Sequence, residues 1–190
     1  MKIELANKKY GIFGIQGSGK TILAKALLKS FRKPIVYRVN DDYDKEKKKV
    51  KIWVPEKFAS AESLDSFAKD IKELAIKGEC DLFNVDEADL YFSSNYHIMP
   101  NMNDLVLNHR HYKLAMAFIS RRPQDIPTKI VESCHYLFIF KLEGANAMKK
   151  FKDIDPKIPP LIEQLDYDKH NFVVKELGRD PYLMKPVAMN

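Results

Sequence analysis

The chain has 190 residues, with 32 Lys and Arg against 26 Asp and Glu, and a formal net charge of +6 with histidines neutral. At about 100 to 200 residues per domain this is one folded unit, too short to carry two ATPase lobes side by side. Hydrophobic residues at 45% and charged ones at 31% exclude a disordered chain, and the basic balance permits a polyanionic partner without identifying one.

The opening stretch MKIELANKKY lacks the apolar core of a signal peptide. The longest apolar runs, such as residues 136–140, fall far short of the roughly 20 needed to cross a bilayer, so a soluble, cytosolic protein is expected. A first strand is expected at about 9–14. Directly after it, Gly14-Ile15-Gln16-Gly17-Ser18-Gly19-Lys20-Thr21 satisfies G-x-x-x-x-G-K-[ST], and a helix over about 19–31 follows. Glycines at this spacing let Gly14, Gln16, Gly17, Ser18 and Gly19 curl the backbone so that N–H groups point inward at phosphate oxygens. Lys20 is placed to reach the β- and γ-phosphates and the Thr21 hydroxyl to ligate Mg²⁺, which makes ATP and Mg²⁺ the expected ligands. The bland alternative is a glycine turn that binds nothing, but a lysine aimed into such a turn has no evident structural use.

Further strands are expected at about 34–39 and 50–54. The run DDYDKEKKKVK between them has no apolar rhythm and reads as an exposed loop. Its Lys45, Lys47, Lys48, Lys49 and Lys51 offer positive charge to a DNA backbone, although Asp41, Asp42 and Asp44 stand beside them and such runs are usually just solvated. Tyr37 and Trp53 read as core or edge-strand residues. Over 61–77, Leu64, Phe67, Ala68, Ile71, Leu74 and Ala75 form one helical stripe, with Gly78 as its stop.

A strand at about 81–85 ends in Asp86 and Glu87. Asp86 suits the Mg²⁺ shell, and Glu87 is a candidate base to polarise a water in line with the γ-phosphate. A phosphotransferase acting on a small acceptor has no need of that second acid. The tetrad Asp86-Glu87-Ala88-Asp89 spells a helicase motif, but those enzymes use two lobes, and no N-K-x-D motif supports guanine recognition. The segment 99–103 reads as a loop into a helix over about 102–111, with Asn101 or Asn103 as its cap. His109 and His111, two apart, make a poor metal pair on a helix.

A strand at about 114–120 then delivers Ser120, Arg121 and Arg122, followed by helices near 125–133 and 144–152 and strands near 135–140 and 171–176. Cys80 and Cys134 lie in apolar runs without metal-ligand spacing and are expected to be buried and reduced. The alternation of strands and helices predicts an α/β protein with a mostly parallel central sheet flanked by helices, as one domain over 1–178 with a tail over 179–190.

The order GIQGSGKT, FNVDEAD, HRHYKLAMAFISRRPQDIP resembles the HerA-FtsK superfamily of DNA-pumping ATPases over residues 9–140. At this size it is most similar to the small genome-packaging ATPases of tailless icosahedral DNA viruses with internal membranes. The resemblance implies a three-layer, additional-strand, RecA-like P-loop NTPase in which the 114–120 strand lies between the phosphate-loop strand and the acidic strand. Its polar end then senses the γ-phosphate through Ser120 and Arg121. The family usually has Thr-Gln where this chain has Ser120-Arg121, so the sensor glutamine is replaced by a cation.

The resemblance also implies a homo-oligomer, a hexameric ring when active, in which a neighbour supplies an arginine to the transferring phosphoryl group. Arg110 in His109-Arg110-His111 matches the family's R-H element, and Arg122 is the second candidate. Both arginines also admit a reading as surface charges. Double-stranded DNA as partner, capsid or membrane proteins of a virion as platform, and a place in the host cytoplasm or virion follow from the same likeness. The assembly ATPases of filamentous phages, the zonula-occludens-toxin-like proteins, share the R-H element but usually have a membrane span, which this chain lacks. A slow nucleotide-dependent switch or scaffold is the rival from another class.

Overall fold

The computed structural model describes residues 4–38, 50–54, 60–92 and 97–186. Among the described residues eight strands make one sheet: β1 (Lys9–Phe13), β2 (Pro34–Tyr37), β3 (Lys51–Trp53), β4 (Leu82–Val85), β5 (Ala115–Ser120), β6 (Tyr136–Ile139), β7 (Phe172–Glu176) and β8 (Tyr182–Met184), in the order β3-β2-β4-β5-β1-β6-β7-β8. The first six are parallel; β7 runs against β6 and β8 against β7. Every residue of β1, β2, β4, β5 and β6 is buried, as expected of parallel strands covered on both faces.

The α-helices among the described residues are α1 (Lys20–Leu28), α2 (Ala61–Ile76), α3 (Pro100–Asn108), α4 (Thr128–Glu132), α5 (Ala145–Ile154) and α6 (Ile158–Glu163). Alternate strand residues divide the core in two. On one face Phe13, Phe83, Phe118 and Ile139 pack with Leu64, Phe67 and Ile71 of α2, Leu105 of α3, Phe151 of α5 and Ile162 of α6. On the other, Ile12, Val36, Ala117 and Phe138 pack with Leu23 and Leu28 of α1. Each large apolar side chain so buried contributes about 1.5 to 3 kcal/mol, which fixes the three-layer α/β architecture.

The expected strands and helices are present within a few residues, and β5 lies between β1 and β4. Cys80 and Cys134 are buried free thiols. Tyr37 is buried and stacks on Trp53, which in turn stacks on Phe67 of α2, so both aromatics serve packing.

One local expectation needs correction, and two elements lie where none was expected. Neither Asn101 nor Asn103 caps α3: the helix starts two residues earlier, with Met99 at the cap and Pro100 inside its first turn, where a missing N–H costs nothing. The cap's work is done from α2, whose Asp65 carboxylate accepts from the Met102 N–H at 2.8 Å and also from the Asn101 side-chain Nδ2 at 2.9 Å. The chain around Pro159 and Pro160 forms α6, because both prolines fall at its start. The segment after Gly178 returns as β8 on the sheet edge, which the sequence reading missed. Of the basic run, Lys45, Lys47, Lys48 and Lys49 lie outside the described residues, and Lys51 is exposed on β3.

Candidate active site

The carboxyl ends of β1, β4 and β5 converge because these three strands are neighbours running the same way. β1 stops at Phe13, where Gly14 donates its N–H to Ser120 O of β5 at 3.3 Å and Ile15 donates to Lys141 O after β6 at 3.0 Å. The Gly14 amide is thus committed to the turn, and the loop beyond it is pinned to strands on both sides. Gly17 (φ 75°) and Gly19 (φ 105°) adopt left-handed backbone that side-chain-bearing residues rarely do, and Gly19 leads straight into α1. The first turn of α1 therefore opens onto the loop with its orphan N–H groups.

Lys20 is 8% exposed and donates from Nζ to Ile15 O at 2.8 Å, so its ammonium lies across the loop. Burial pushes its pKa down to about 8, against the opposing pull of Asp86. A group held this way gains from an incoming polyanion, which restores the charge that burial disfavours. Ser18 is buried, and its hydroxyl has no hydrogen-bond partner among the described residues.

Across the cleft β4 ends at Val85, and Asp86 continues its ladder by donating its N–H to Tyr37 O at 2.9 Å. The Asp86 side chain is 3% exposed. Glu87 then takes left-handed backbone (φ 47°), a conformation of order 1 to 3 kcal/mol above the relaxed one for such a residue, and turns out of the strand. Its carboxylate lies 3.4 Å from Arg121 Nη2 at the end of β5, with both side chains partly exposed. A pair of that kind is worth at most about 1 kcal/mol and is easily exchanged. Ser120 is buried, its hydroxyl accepting from the Arg122 N–H at 2.9 Å.

Gln16, Gly17, Lys20, Thr21, Asp86, Glu87, Ser120 and Arg121 together line one cleft of 430 Å³. The predicted loop, acids and sensor pair are thus brought to one place. The two further arginines are not. Arg110 contacts His135 Nε2 at the amino ends of β5 and β6, and β5 is six residues, or about 20 Å, long. Arg122 is exposed and pairs with Asp125 at 2.8 Å.

Sequence reading missed Tyr167, whose hydroxyl donates to Gln16 O at 3.0 Å from 151 residues away. A Cβ added at Gly17 would meet that hydroxyl at 2.1 Å, so Tyr167 covers the loop closely.

The sheet order and the glycine loop between β1 and α1 are those of the additional-strand P-loop NTPase fold. Among solved structures, the chain is similar to the genome packaging NTPase B204 from Sulfolobus turreted icosahedral virus 2 in complex with AMPPCP, with a TM-score of 0.83, 15% identity, and coverage of 96% of this chain and 98% of that one. It is similar at TM-score 0.82 and 15% identity to B204, the DNA-packaging ATPase from Sulfolobus turreted icosahedral virus, over 97% of this chain and 100% of that one. EssC (ATPases 2 and 3) from Geobacillus thermodenitrificans matches at TM-score 0.68 and 13% identity over 98% of this chain and 40% of that one. No family model and no curated protein matches the chain. At these identities the likeness is one of fold.

Proposed function

We propose that this chain is an ATP-hydrolysing subunit of a HerA-FtsK-type motor that moves double-stranded DNA, with viral genome packaging as its task. The observation that carries the reading is the single cleft in which Lys20 and Thr21 face Asp86, Glu87, Ser120 and Arg121 across adjacent parallel strands. The fold shared with the B204 packaging NTPases over nearly the whole of both chains supports the choice of task.

The loop amides and Lys20 bind and orient the triphosphate, and the water-poor setting of Lys20 strengthens that attraction. The Thr21 hydroxyl and the Asp86 carboxylate, hard oxygen donors lining one cleft, fit Mg²⁺ and would hold it there, where it would supply positive charge against the phosphates. Glu87 accepts a proton from water in line with the γ-phosphate. Arg121 exchanges its carboxylate partner for a γ-phosphate oxygen, and Ser120 supplies the polar contact beside it.

Arg110 is one strand length from the cleft of its own subunit, so its contribution is to the site of a neighbour in a homo-oligomeric ring. Loss of the γ-phosphate then alters that contact and moves the DNA-facing surfaces, with the basic run at 45–51 as the DNA-contacting collar. Among the described residues no helix is long and apolar enough to cross a membrane. The host cytoplasm or the virion, with capsid or membrane proteins as platform, is the proposed setting.

Steady-state ATP turnover with and without duplex DNA tests the reading. A motor subunit accelerates several-fold on DNA. The Arg121–Glu87 pair favours one second reading, a slow nucleotide-dependent switch in which the cation holds the base back. Slow turnover that DNA leaves unchanged selects that reading.

A further inference from the structure

We infer that His135 is a positioning residue for Arg110: it holds the guanidinium at the amino end of the sheet in a contact that is surrendered when a neighbouring copy of the chain presents a triphosphate. The inference rests on the reading above in which Arg110 serves a neighbour's site.

The backbone at both residues is fixed. Arg110 lies two residues beyond α3, in a turn where the His111 N–H donates to Asn108 O at 2.9 Å and the Lys113 N–H donates to Arg110 O at 3.1 Å. His135 enters β6 with its N–H donating to Lys9 O at 2.7 Å and its carbonyl accepting from the Leu177 N–H at 2.9 Å. His135 is 8% exposed whereas Arg110 is exposed, so the arginine side chain is the part that is free to swing away.

Two donors claim one ring. The Lys9 N–H points at His135 Nδ1 from 3.2 Å, and Arg110 Nη2 contacts Nε2. A neutral imidazole has a single acceptor nitrogen and a guanidinium has none, so the ring serves one donor and turns its own N–H toward the other. With Nδ1 taken by the Lys9 N–H, Arg110 meets a donor. Protonation brings no relief, because imidazolium accepts nothing. Burial, with the positive charges of Arg110, Lys8, His109 and Lys9 around it, keeps the ring neutral in any case.

The other two arginines near this chemistry rest differently. Arg121 and Arg122 lie against the carboxylates of Glu87 and Asp125, whereas Arg110 has no carboxylate partner among the described residues. Its guanidinium is aimed by the ring without the counter-charge that would retain it. A triphosphate oxygen supplies an acceptor and negative charge together, and such a charge-assisted bond is roughly twice as strong as a neutral one.

The test locks Arg110 in place. His135→Glu offers a carboxylate able to accept from the Lys9 N–H and Arg110 at once, and His135→Gln is the uncharged variant of the same size. Each is added to one of two inactive subunits: Lys20→Ala, which gives its arginine to a neighbour, or Arg110→Ala, which keeps an intact loop. ATP turnover is then measured after mixing the two subunits in equal amounts. Without a change at position 135 the mixture recovers turnover. His135→Glu on the Lys20→Ala subunit lowers that recovered turnover about tenfold or more, and on the Arg110→Ala subunit leaves it within about twofold. His135→Gln leaves it within about threefold on either subunit. A loss of folding does not depend in this way on which subunit carries the change. Equal effects of His135→Glu on both subunits, no effect on either, or a loss with His135→Gln on the Lys20→Ala subunit as large as that of His135→Glu overturns the positioning role alone. No recovery in the mixture with His135 intact overturns the contribution between subunits, and the inference with it.

Discussion

At the carboxyl ends of β1, β4 and β5, Lys20, Asp86, Glu87, Ser120 and Arg121 face a shared cleft. At the amino ends of the same sheet, Lys9, His109 and His135 bond inward instead, and Arg110 is exposed beside them. Lys9 donates from Nζ to Val106 O at 2.7 Å, His109 Nδ1 lies 3.0 Å from Leu114 O, and His135 sits between the Lys9 N–H and Arg110. The two ends carry similar residue types, so charge and burial alone do not separate a binding site from a structural polar cluster. What separates them is where the groups point: at the carboxyl ends into an open cleft beside the glycine loop, at the amino ends onto backbone carbonyls and each other.

The largest expected effects lie at the cleft. Lys20→Ala lowers ATP turnover by about 1,000-fold or more, because the triphosphate loses its buried counter-charge. Arg110→Ala, at the far end, lowers turnover of the assembled protein by about 100-fold while a dilute subunit keeps its nucleotide affinity. Mixing the two inactive variants sharpens the contrast: part of the turnover returns, since Lys20→Ala subunits still present Arg110 to intact loops. No recovery on mixing counts against a contribution between subunits.

A smaller effect is expected at the loop's cover. Gly17→Ala must place a Cβ 2.1 Å from the Tyr167 hydroxyl at φ 75°, and weakens nucleotide binding by about 10- to 100-fold in titration calorimetry. Adding Tyr167→Phe to that variant removes the clash but not the backbone strain, and recovers only part of the loss.

The smallest effect belongs to the amino end and appears in stability. Burial first, and then the Arg110 charge, push the His135 pKa down to about 4. Between about 6.5 and 4 the unfolded chain binds the proton that the folded one refuses, so stability falls as pH drops through that window. The slope amounts to about 1 to 2 kcal/mol in urea denaturation, and His135→Gln flattens it without changing nucleotide affinity at neutral pH.

How much of this was legible in the sequence follows the same division. The place of the glycine loop between β1 and α1 could be read because its glycines, lysine and hydroxyl stand at fixed spacing within one turn. The place of Asp86 and Glu87 could be read because an apolar run that stops at two acids marks a strand end. β5 between β1 and β4 came from resemblance, since no local pattern specifies which strands pair. Tyr167 was illegible: it lies 151 residues from the Gln16 carbonyl it bonds, in a polar turn with no periodicity. α6 was hidden because Pro159 and Pro160 signal a break unless one knows they fall in a first turn. Asn101 and Asn103 misled because the α3 terminus is satisfied by Asp65 from another helix.

The central claim is that Glu87 readies water for attack on a triphosphate gripped by the loop, and Glu87→Gln tests it most directly by pairing ATP affinity with turnover in one protein. The account predicts an affinity within about twofold of wild type and turnover reduced about 100-fold or more. Undiminished turnover in a variant that still binds ATP would contradict it.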